Sequence, residues 1–542
     1  MFSLVAVMHQ SLVQVAVLLG ALALCVQSEY VRPIDGDCIF QELGGLGGVD
    51  GSLFPEQYIM EGTSKPGSSY VTEVDTASGF SVAYYDTYKV LENKLAGESY
   101  VLYQCGTEKP DVSASGVPEG AKFFEIPLTS MSVPETVPYA FVEQLGLDDR
   151  VHDVSGFVTG ACGQKLVECG DVAPDTFTGY LSNLTALENA VGSSVDGVVA
   201  TSAQEYPKIF SFSATEAPGV LNRAEWIKFL GLFFNRDAYA SSIYNGIVQS
   251  YNDIKANGKG DSKPVIAWVS HFVFQDDEHY EITLPAYKAE FVSDSGAQNV
   301  DLEKIKKQYP GVTVSEFSPT TLEFAWDKPN AFKTKEAAQK AFLEFLSTVD
   351  VIIDETYSAE PASYTFEQFQ KEYDLENAGN ESLKKLKWLK PKLIFRLDGL
   401  ISAANGLDWF EGAIARPDLV LQDMDRVVDS ARQGKLPKKD EFKWIRNIDE
   451  SPVVITANDC ERLSSCNEKP STICPFVKIC DDGSTSLLEE SSVDSGDCVY
   501  QTCIKSEVES EESTENTAQM AAPAVILLTL LIVFVEALIN FC

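Results

Sequence analysis

The pattern of apolar and polar positions alternates between strand-like and helix-like segments. Short runs rich in Tyr, Val and Phe come first, with turn residues between them: FSVAYYDTYKVLE, YVLYQCG and KFFEIPL. Such runs predict β-strands. VHDVS and VDGVVATS have the composition of buried strands, while VPETVPYAFVEQLGL and YLSNLTALENAVG have helical spacing. Strands that alternate with helices predict a parallel α/β sheet.

The longest helical pattern runs from Arg223 to Ile254. Its apolar residues recur at helical spacing at Trp226, Phe229, Leu230, Phe233, Phe234, Ile243, Ile247 and Tyr251. At about 1.5 Å per residue such a helix approaches 50 Å in length. We therefore expect a continuous helix that crosses a whole domain and ends near Asn257-Gly258.

The alternation of strands and helices resumes after this helix. KPVIAWVSHF, DVIIDE and PKLIFRLD read as strands, and DLEKIKKQYPG and AAQKAFLEFLSTV read as helices. DLVLQDMDRVVDSARQG reads as a helix with Pro417 and Asp418 in its first turn, where both residues are favoured. The sequence thus predicts an α/β fold with two α/β lobes joined by one long helix.

Cysteines change the composition beyond this second lobe. Six of the 12 cysteines fall between Cys460 and Cys503, without a histidine or a Cys-x-x-Cys spacing, so a zinc site is not expected there. We expect a small disulfide-rich appendage whose pairing stays open among fifteen arrangements. The cysteines expected in disulfides are Cys38, Cys105, Cys162, Cys169, Cys460, Cys466, Cys474, Cys480, Cys498 and Cys503.

The two ends predict a secreted and anchored protein. Leu12 to Val26 is apolar and uncharged, as in a signal peptide. Ala521 to Phe541 is almost wholly apolar and lacks a basic flank, which favours a GPI-attachment signal over a spanning helix. The predicted organisation is a signal peptide (1–28), a first lobe (29–222), a linking helix (223–257), a second lobe (258–450), a Cys-rich appendage (451–505), an acidic stalk (506–520) and an anchoring tail (521–542).

Charge and motifs restrict the function further. The formal net charge of −38 argues against nucleic-acid binding, which needs clustered Lys and Arg. The sequons at Asn183 and Asn380 fit a glycoprotein on the outside of the cell, at its plasma membrane. No Gly-x-Ser-x-Gly elbow, P-loop or His-Glu-x-x-His motif occurs, so we expect neither an enzyme nor a cofactor.

Several segments taken in order resemble a known family. AEWIKFLGLFFNRDAYA, VDVIIDETY and DWFEGAIARPDLVLQDM, with YVLYQCGT and VPETVPYAFVEQLG, are similar to class III periplasmic binding proteins, and among them to eukaryotic members. The resemblance spans about Tyr70 to Gly434. It implies a receptor that captures an iron chelate such as a siderophore, cobalamin or a metal between two lobes, and hands it to an uptake partner.

Ligands of open α/β sheets bind outside the carboxyl ends of the strands. In the first lobe those ends present Ser130, Glu135, Ser155 and Thr201. In the second lobe they present Trp268, His271, Glu355, Tyr357, Arg396 and Asp398, and Trp409 follows the last strand region. Arg and aromatic side chains suit a flat anionic chelate. We expect Trp268, Tyr357 and Arg396 in particular to line the site.

Three alternatives stay open at this level. Trp409 and Phe410 are core residues in the simplest interpretation, since they precede a packed helix. The segment His271 to Glu281 contains two of the 4 histidines among carboxylates, which fits either a metal site or an exposed polar loop. The whole protein is alternatively an adhesion or interaction protein with a degenerate cleft, and a cleft packed shut would indicate it.

Overall fold

The computed structural model describes residues 72–466, except positions 86, 106, 171, 176–193, 258–259, 261, 276, 327, 437–441 and 464, and two short strands at 477–479 and 485–487. The predicted signal peptide, acidic stalk and anchoring tail lie outside the described residues, as do Cys38, Asn183, Cys474, Cys480, Cys498 and Cys503. None of the described helices combines the length and apolar character needed to cross a membrane.

The first lobe contains two sheets. Its strands are β1 (Phe80–Tyr84), β2 (Tyr88–Asn93), β3 (Glu98–Gln104), β4 (Lys122–Ile126), β5 (Met131–Val133), β6 (Val151–Ser155), β7 (Ala173–Asp175), β8 (Gly197–Ala200) and β9 (Ile209–Ser211). Strands β1 to β4 lie in sequence order, with antiparallel pairs up to β3 and a parallel β3–β4 pair. The other five are all parallel in the order β7-β6-β5-β8-β9. Helices α1 (Thr136–Gln144) and α2 (Ala161–Cys169) follow β5 and β6.

Aromatic rings fill the core of the first lobe. Phe233 is fully buried, and its ring stacks on Phe210 at 4.0 Å and meets Phe124 at 5.4 Å. Tyr100 and Phe229 complete the group around it, at 5.8 and 5.7 Å. Large buried rings supply much of the burial energy of a core, so residues after β9 secure the first lobe.

The predicted continuous helix over 223–254 is wrong. The segment forms three helices, α3 (Val220–Ala224), α4 (Trp226–Leu232) and α5 (Asp237–Asn257). The break contains Asn235, whose φ of 53° is left-handed and incompatible with a helix interior. Apolar spacing could not reveal the break, because apolar residues recur at helical spacing both before and after Asn235. The continuous joining helix is α5, about 32 Å long.

The second lobe is built on a mixed sheet. Its strands are β10 (Val265–Phe274), β11 (Asp277–Thr283), β12 (Gln298–Asn299), β13 (Thr313–Val314), β14 (Thr321–Ala325), β15 (Val351–Asp354), β16 (Ile394–Arg396) and β18 (Arg446–Asn447). Their order is β13-β14-β11-β10-β15-β16-β18, with β12 beside β10. Strands β10, β15 and β16 are parallel, β11 runs antiparallel to β10, and β14 pairs antiparallel with β11. Two further pairs join β17 (Leu400–Ser402) to β19 (Val453–Ile455) and β20 (Val477–Ile479) to β21 (Thr485–Leu487).

Helices cover both the sheet and the joining helix. The helices of the second lobe are α6 (Ala286–Asp294), α7 (Leu302–Gln308), α8 (Lys335–Leu346), α9 (Phe366–Glu372), α10 (Asn380–Leu383), α11 (Gly412–Ala415) and α12 (Pro417–Gln433). Helix α12 begins at Pro417 as predicted, and it packs along α5. The fold class predicted from the sequence is therefore confirmed, whereas the domain boundaries stay predictions.

Two disulfides tie the region beyond the second lobe to the first lobe. Cys162 bonds to Cys460, and Cys169 bonds to Cys466, so both bridges connect α2 to the same short segment. Cys105 is also disulfide-bonded. A separate appendage closed only by its own cysteines is therefore wrong for Cys460 and Cys466. Spacing along the chain could not show this, because the partners lie almost 300 residues apart.

Candidate ligand site at the lobe junction

A largely apolar cavity of about 230 Å³ lies where the two lobes meet. The first lobe and α3 contribute Thr215, Val220 and Arg223, and α6 contributes Tyr287 and Phe291. The wall is completed by residues of the segment that leads into α12: Trp409, Phe410, Ala413, Ile414, Pro417 and Val420. The segment that the sequence analysis placed after the last strand region therefore forms one side of the cavity.

Arg223 is the charged residue of this cavity wall. Its Nε donates to the carbonyl of Ala217 at 2.9 Å, and one terminal nitrogen donates to the carbonyl of Thr215 at 2.8 Å. Its guanidinium lies 3.9 Å from the ring centre of Tyr287. Burial lowers the pKa of Arg223, and the neighbouring Tyr287 opposes that shift. Arginine stays protonated in proteins, so the wall carries a fixed positive charge.

Aromatic and charged groups continue behind the cavity. Trp409 is buried, and its ring centre lies 6.1 Å from that of Trp268 in β10. Lys288 of α6 sits 5.2 Å from the Trp268 ring, and its Nζ pairs with Glu355 at 2.5 Å. Burial raises the pKa of Glu355 despite the ion pair with Lys288. Three of the predicted residues are thus brought together, with Trp409 in the cavity wall and Trp268 and Glu355 behind it.

One polar atom of this group has no partner among the described residues. The indole nitrogen of Trp268 is buried and makes no hydrogen bond there. Buried polar groups are nearly always paired, so this donor is an exception among the groups behind the cavity.

No protein-family model matches the chain, and no curated protein sequence matches it. Its fold is similar to that of periplasmic binding proteins. A periplasmic binding protein from Veillonella parvula DSM 2008 is 12% identical with a TM-score of 0.37, over 58% of this chain and 88% of that chain. Ceue of Helicobacter pylori, solved with Ni(II) bound, is 12% identical with a TM-score of 0.35, over 57% and 87%.

The periplasmic vitamin B12 binding protein BtuF of Vibrio cholerae is 11% identical with a TM-score of 0.33, over 57% of this chain and 99% of that chain. Identities and scores at this level describe a likeness of fold and carry no argument about ligands. The site of this chain has to be judged by its own side chains.

Arg396 and Asp398 are not offered to a ligand, contrary to expectation. Arg396 is 4% exposed, donates to Asp354 at 2.5 Å and to Asp398 at 2.8 Å, and also binds the carbonyl of Thr356. Asp398 in turn accepts from Arg446 at 2.6 Å. The two arginines and two aspartates satisfy one another inside the second lobe, because buried charges must be paired. This group is called the arginine–aspartate network below.

The other predicted residues of the second lobe lie apart from the cavity. His271 is held between Glu372 at 2.6 Å and Glu278 at 3.1 Å, on the sheet face opposite Trp268. Tyr357 follows β15 in the chain but is 86% exposed. A residue that follows a strand end can therefore point to solvent as readily as toward the partner lobe.

The predicted residues of the first lobe are paired with their own neighbours. Glu135 precedes α1 and accepts hydrogen bonds from both the backbone and the hydroxyl of Thr201, which follows β8. Ser155 is buried at the end of β6 and accepts from the backbone of Phe157 at 3.3 Å. Ser130 precedes β5, so it lies at the amino end of that strand and not at the predicted carboxyl end.

The lobes touch directly beside the cavity. Glu411 of the second lobe accepts hydrogen bonds from the backbone of Thr159 at 2.8 Å and of Gly160 at 2.9 Å, at the start of α2. The Thr159 hydroxyl donates to Asp408. Burial and the nearby Asp408 raise the pKa of Glu411 to about 8. This contact, called the Glu411 latch below, closes part of the predicted cleft.

Sequence reasoning missed Arg223, Tyr287 and Lys288. Arg223 was included in the linking helix and Tyr287 and Lys288 lie in a short helix that the pattern did not single out. The sequence nevertheless contained a signal. Tyr287 and Lys288 place an aromatic and a cationic side chain next to each other shortly after two strands. Only the packing of α3 against α6 shows that these residues face the same cavity as Trp409.

Proposed function

We propose that this chain is a solute-binding protein that captures a small, flat, anionic solute at the junction of its lobes. The observation that carries the proposal is the Arg223 guanidinium, stacked on Tyr287 in the wall of a cavity that is otherwise almost entirely apolar. Apolar walls with a few placed polar groups are typical of small-molecule sites. Arginine and aromatic rings supply charge and stacking to a planar acid.

The size of the cavity narrows the class of solute. Most small-molecule pockets measure about 300–1,000 Å³, so a cavity of about 230 Å³ favours a solute built on a single ring. A whole iron chelate or cobalamin would require the lobes to separate at the Glu411 latch. A chelate that contains acidic rings shares its chemistry with a single-ring acid. Calorimetry with both kinds of solute distinguishes them.

The setting we propose is the outer face of the plasma membrane. The Cys162–Cys460 and Cys169–Cys466 bridges support it, because structural disulfides belong to oxidising compartments. Both Asn380 and Ser382 of one sequon are exposed, as glycosylation would require. Attachment through the C-terminal tail and delivery to an uptake partner belong to the same proposal.

Release of the protein from expressing cells by a phosphatidylinositol-specific phospholipase would support the GPI anchor, and retention would favour a spanning helix.

Calorimetry of the purified full chain tests the solute class. The panel contains benzoate-, catechol- and hydroxamate-type acids, their neutral amide analogues, the ferric complexes and cobalamin. We expect one-to-one binding of single-ring acids and none of the neutral analogues. Arg223→Met removes the charge but keeps the aliphatic stem, and it should weaken binding about tenfold or more, since a charged hydrogen bond contributes about 1.5–3 kcal/mol.

Lys340→Met is the matched control, because Lys340 lies on the exposed face of α8. It should bind like the unmodified chain. Equal affinity of both variants would contradict a site at Arg223. Binding of a ferric complex but of no single-ring acid would show that the lobes open to a larger ligand.

A second candidate function is recognition of a protein partner. The hairpin between β10 and β11 exposes Val273 at 60% and Phe274 at 62%, beside the half-exposed Phe272. Adjacent exposed apolar residues can mark an interaction surface. Val273→Ser with Phe274→Ser should abolish adhesion of expressing cells without changing solute binding if this function holds, whereas unchanged adhesion would exclude the hairpin.

A further inference from the structure

Three side chains converge on one face of the second-lobe sheet, and none of them lines the cavity at the lobe junction. His279 and Glu281 are two residues apart on β11, so they point to the same face of the sheet. Glu323 on β14 lies directly opposite Glu281 in the antiparallel ladder. All three side chains are largely buried, with exposed fractions of 3%, 18% and 10%.

Their potential ligand atoms are spaced like the ligands of one metal ion. The Nε2 atom of His279 lies 3.1 Å from a carboxylate oxygen of Glu281 and 3.9 Å from one of Glu323. The ligand atoms of all three residues lie within 4.8 Å of one another. Ligands of a tetrahedral zinc ion at about 2.0–2.1 Å are separated by about 3.3 Å, so closing this cluster requires only small side-chain shifts.

The other side of the imidazole is already held as in many metal sites. The Nδ1 atom of His279 lies 2.9 Å from a carboxylate oxygen of Asp277, and the Phe272 ring stacks on the imidazole at 4.8 Å. A carboxylate on Nδ1 fixes the tautomer that presents the Nε2 lone pair to a metal. Asp277 and Phe272 thus orient Nε2 toward the two glutamates.

The simplest alternative to a metal ion is a proton on Nε2 of His279. Burial lowers the pKa of His279, but the hydrogen bonds to Glu281 and Asp277 outweigh that effect and raise it. Lys328 supplies further positive charge, 2.8 Å from Asp277 and 3.6 Å from Glu323. In the absence of a metal, the imidazole proton and Lys328 thus neutralise part of the negative charge of the three carboxylates, and a divalent ion would take the place of the Nε2 proton.

We propose that His279, Glu281 and Glu323 bind a divalent cation, with zinc as the best fit and water as the fourth ligand. One imidazole and two carboxylates match a three-ligand zinc site with an open position. Binding displaces the proton from Nε2 of the imidazole, and this proton passes to solvent. Asp277 is a positioning residue, since it acts through the imidazole.

His271 provides a comparison within the same lobe. Its Nδ1 and Nε2 atoms are each paired with one carboxylate, from Glu372 and Glu278, and Lys335 binds Glu278 at 2.5 Å. Those two carboxylates lie on opposite sides of the ring, so they cannot share a cation with one nitrogen. Glu278→Gln is therefore the matched control for the cluster of His279.

Zinc calorimetry of the chelator-treated full chain tests the proposal. A millimolar excess of Mg²⁺ saturates diffuse binding to a chain of net charge −38. We expect one zinc site that Glu281→Gln or Glu323→Gln weakens by at least about 100-fold, more than the 10–100-fold expected for the outer partner in Asp277→Asn. Glu278→Gln and Arg223→Met should leave zinc affinity unchanged.

Two results would overturn the proposal. One is the absence of a one-to-one zinc site above the Mg²⁺ background. The other is a site that survives both glutamine variants. If a variant fails to fold by circular dichroism, Co²⁺ added to the unmodified chain decides: intense tetrahedral visible bands support the cluster, and the weak bands of octahedral Co²⁺ contradict it. Solute binding at Arg223 is measured separately, so the two proposals can fail independently.

Discussion

Two pairs of polar residues at strand ends, one pair in each lobe, are stabilised in different ways. In the first lobe Glu135 and Thr201 bind each other at a half-exposed edge. In the second lobe Arg396 and Asp398 lie fully inside, within the arginine–aspartate network. The rule that ligands bind at the carboxyl ends of strands predicted both pairs as site residues. One pair lies near solvent, and the other is buried inside the second lobe.

The difference lies in what surrounds each strand end. Strand β16 is flanked by β15 and β18, so Arg396 emerges between Asp354 of one neighbour and Arg446 of the other. A charge in such a position is stable only with charged partners. Strand β5 is likewise flanked by two strands, β6 and β8, but Glu135 lies two residues beyond its end and directly before α1, where it binds the backbone amide and the hydroxyl of Thr201. Strand-end position thus identifies candidates, and the groups packed around each side chain decide its role.

Breaking the arginine–aspartate network should give one of the largest losses of stability. Arg396→Ala leaves Asp354 and Asp398 buried with fewer partners, which costs about 3–5 kcal/mol of unfolding free energy. Urea denaturation measures it. Lys384→Ala removes an exposed ion pair with Glu381 and should change stability by at most about 1 kcal/mol. Equal losses in the two variants would show that the network is not buried in solution.

Removing one ring from the aromatic core of the first lobe should lower the free energy of unfolding by a similar amount, through a different mechanism. Phe233→Ala opens a cavity among Phe210, Phe124 and Tyr100, which costs about 3–5 kcal/mol. Unlike Arg396→Ala, the loss should not depend on salt, because no charge is involved. A loss well below 1 kcal/mol would contradict burial of this ring.

The Glu411 latch predicts a smaller, pH-dependent effect. The folded pKa of Glu411 is about 8, above the ordinary 4.5, so the folded state retains a proton that the unfolded state releases. Stability should therefore fall as pH rises from about 4.5 to 8 and should not fall further from this group above 8. Glu411→Gln keeps a neutral side chain and should flatten that decline.

The test compares unfolding free energies of the unmodified chain and Glu411→Gln across this range. Glu143, whose pKa burial and Asp148 raise to about 7, contributes with the same sign and remains in the variant. A residual decline is thus expected. Identical curves for both proteins would show that Glu411 is already charged in the folded state.

The sequence predicted the helices and strands better than it predicted the contacts between distant residues. The strands near VIAW and VIID and the helix that begins at Pro417 stand where hydrophobic periodicity placed them. The break at Asn235 was hidden, since apolar residues recur at helical spacing on both sides of it. The partners of Arg396, and the disulfide partners of Cys162 and Cys169, depend on residues distant along the chain, so no local pattern contains them.

Tyr357 gives the smallest expected effect and the sharpest test of the strand-end prediction. Its side chain is 86% exposed, so Tyr357→Ala should change the unfolding free energy by no more than about 0.5 kcal/mol. Solute affinity should also stay unchanged, because the cavity at Arg223 and Trp409 is lined without it. Calorimetry measures the solute affinity and the stability of Tyr357→Ala and of Arg223→Met under the same conditions. If Tyr357→Ala weakens binding as strongly as Arg223→Met while stability holds, Tyr357 must close over the solute. The sequence-based placement of this tyrosine at the ligand would then stand, and the bound lobes would differ from the arrangement described.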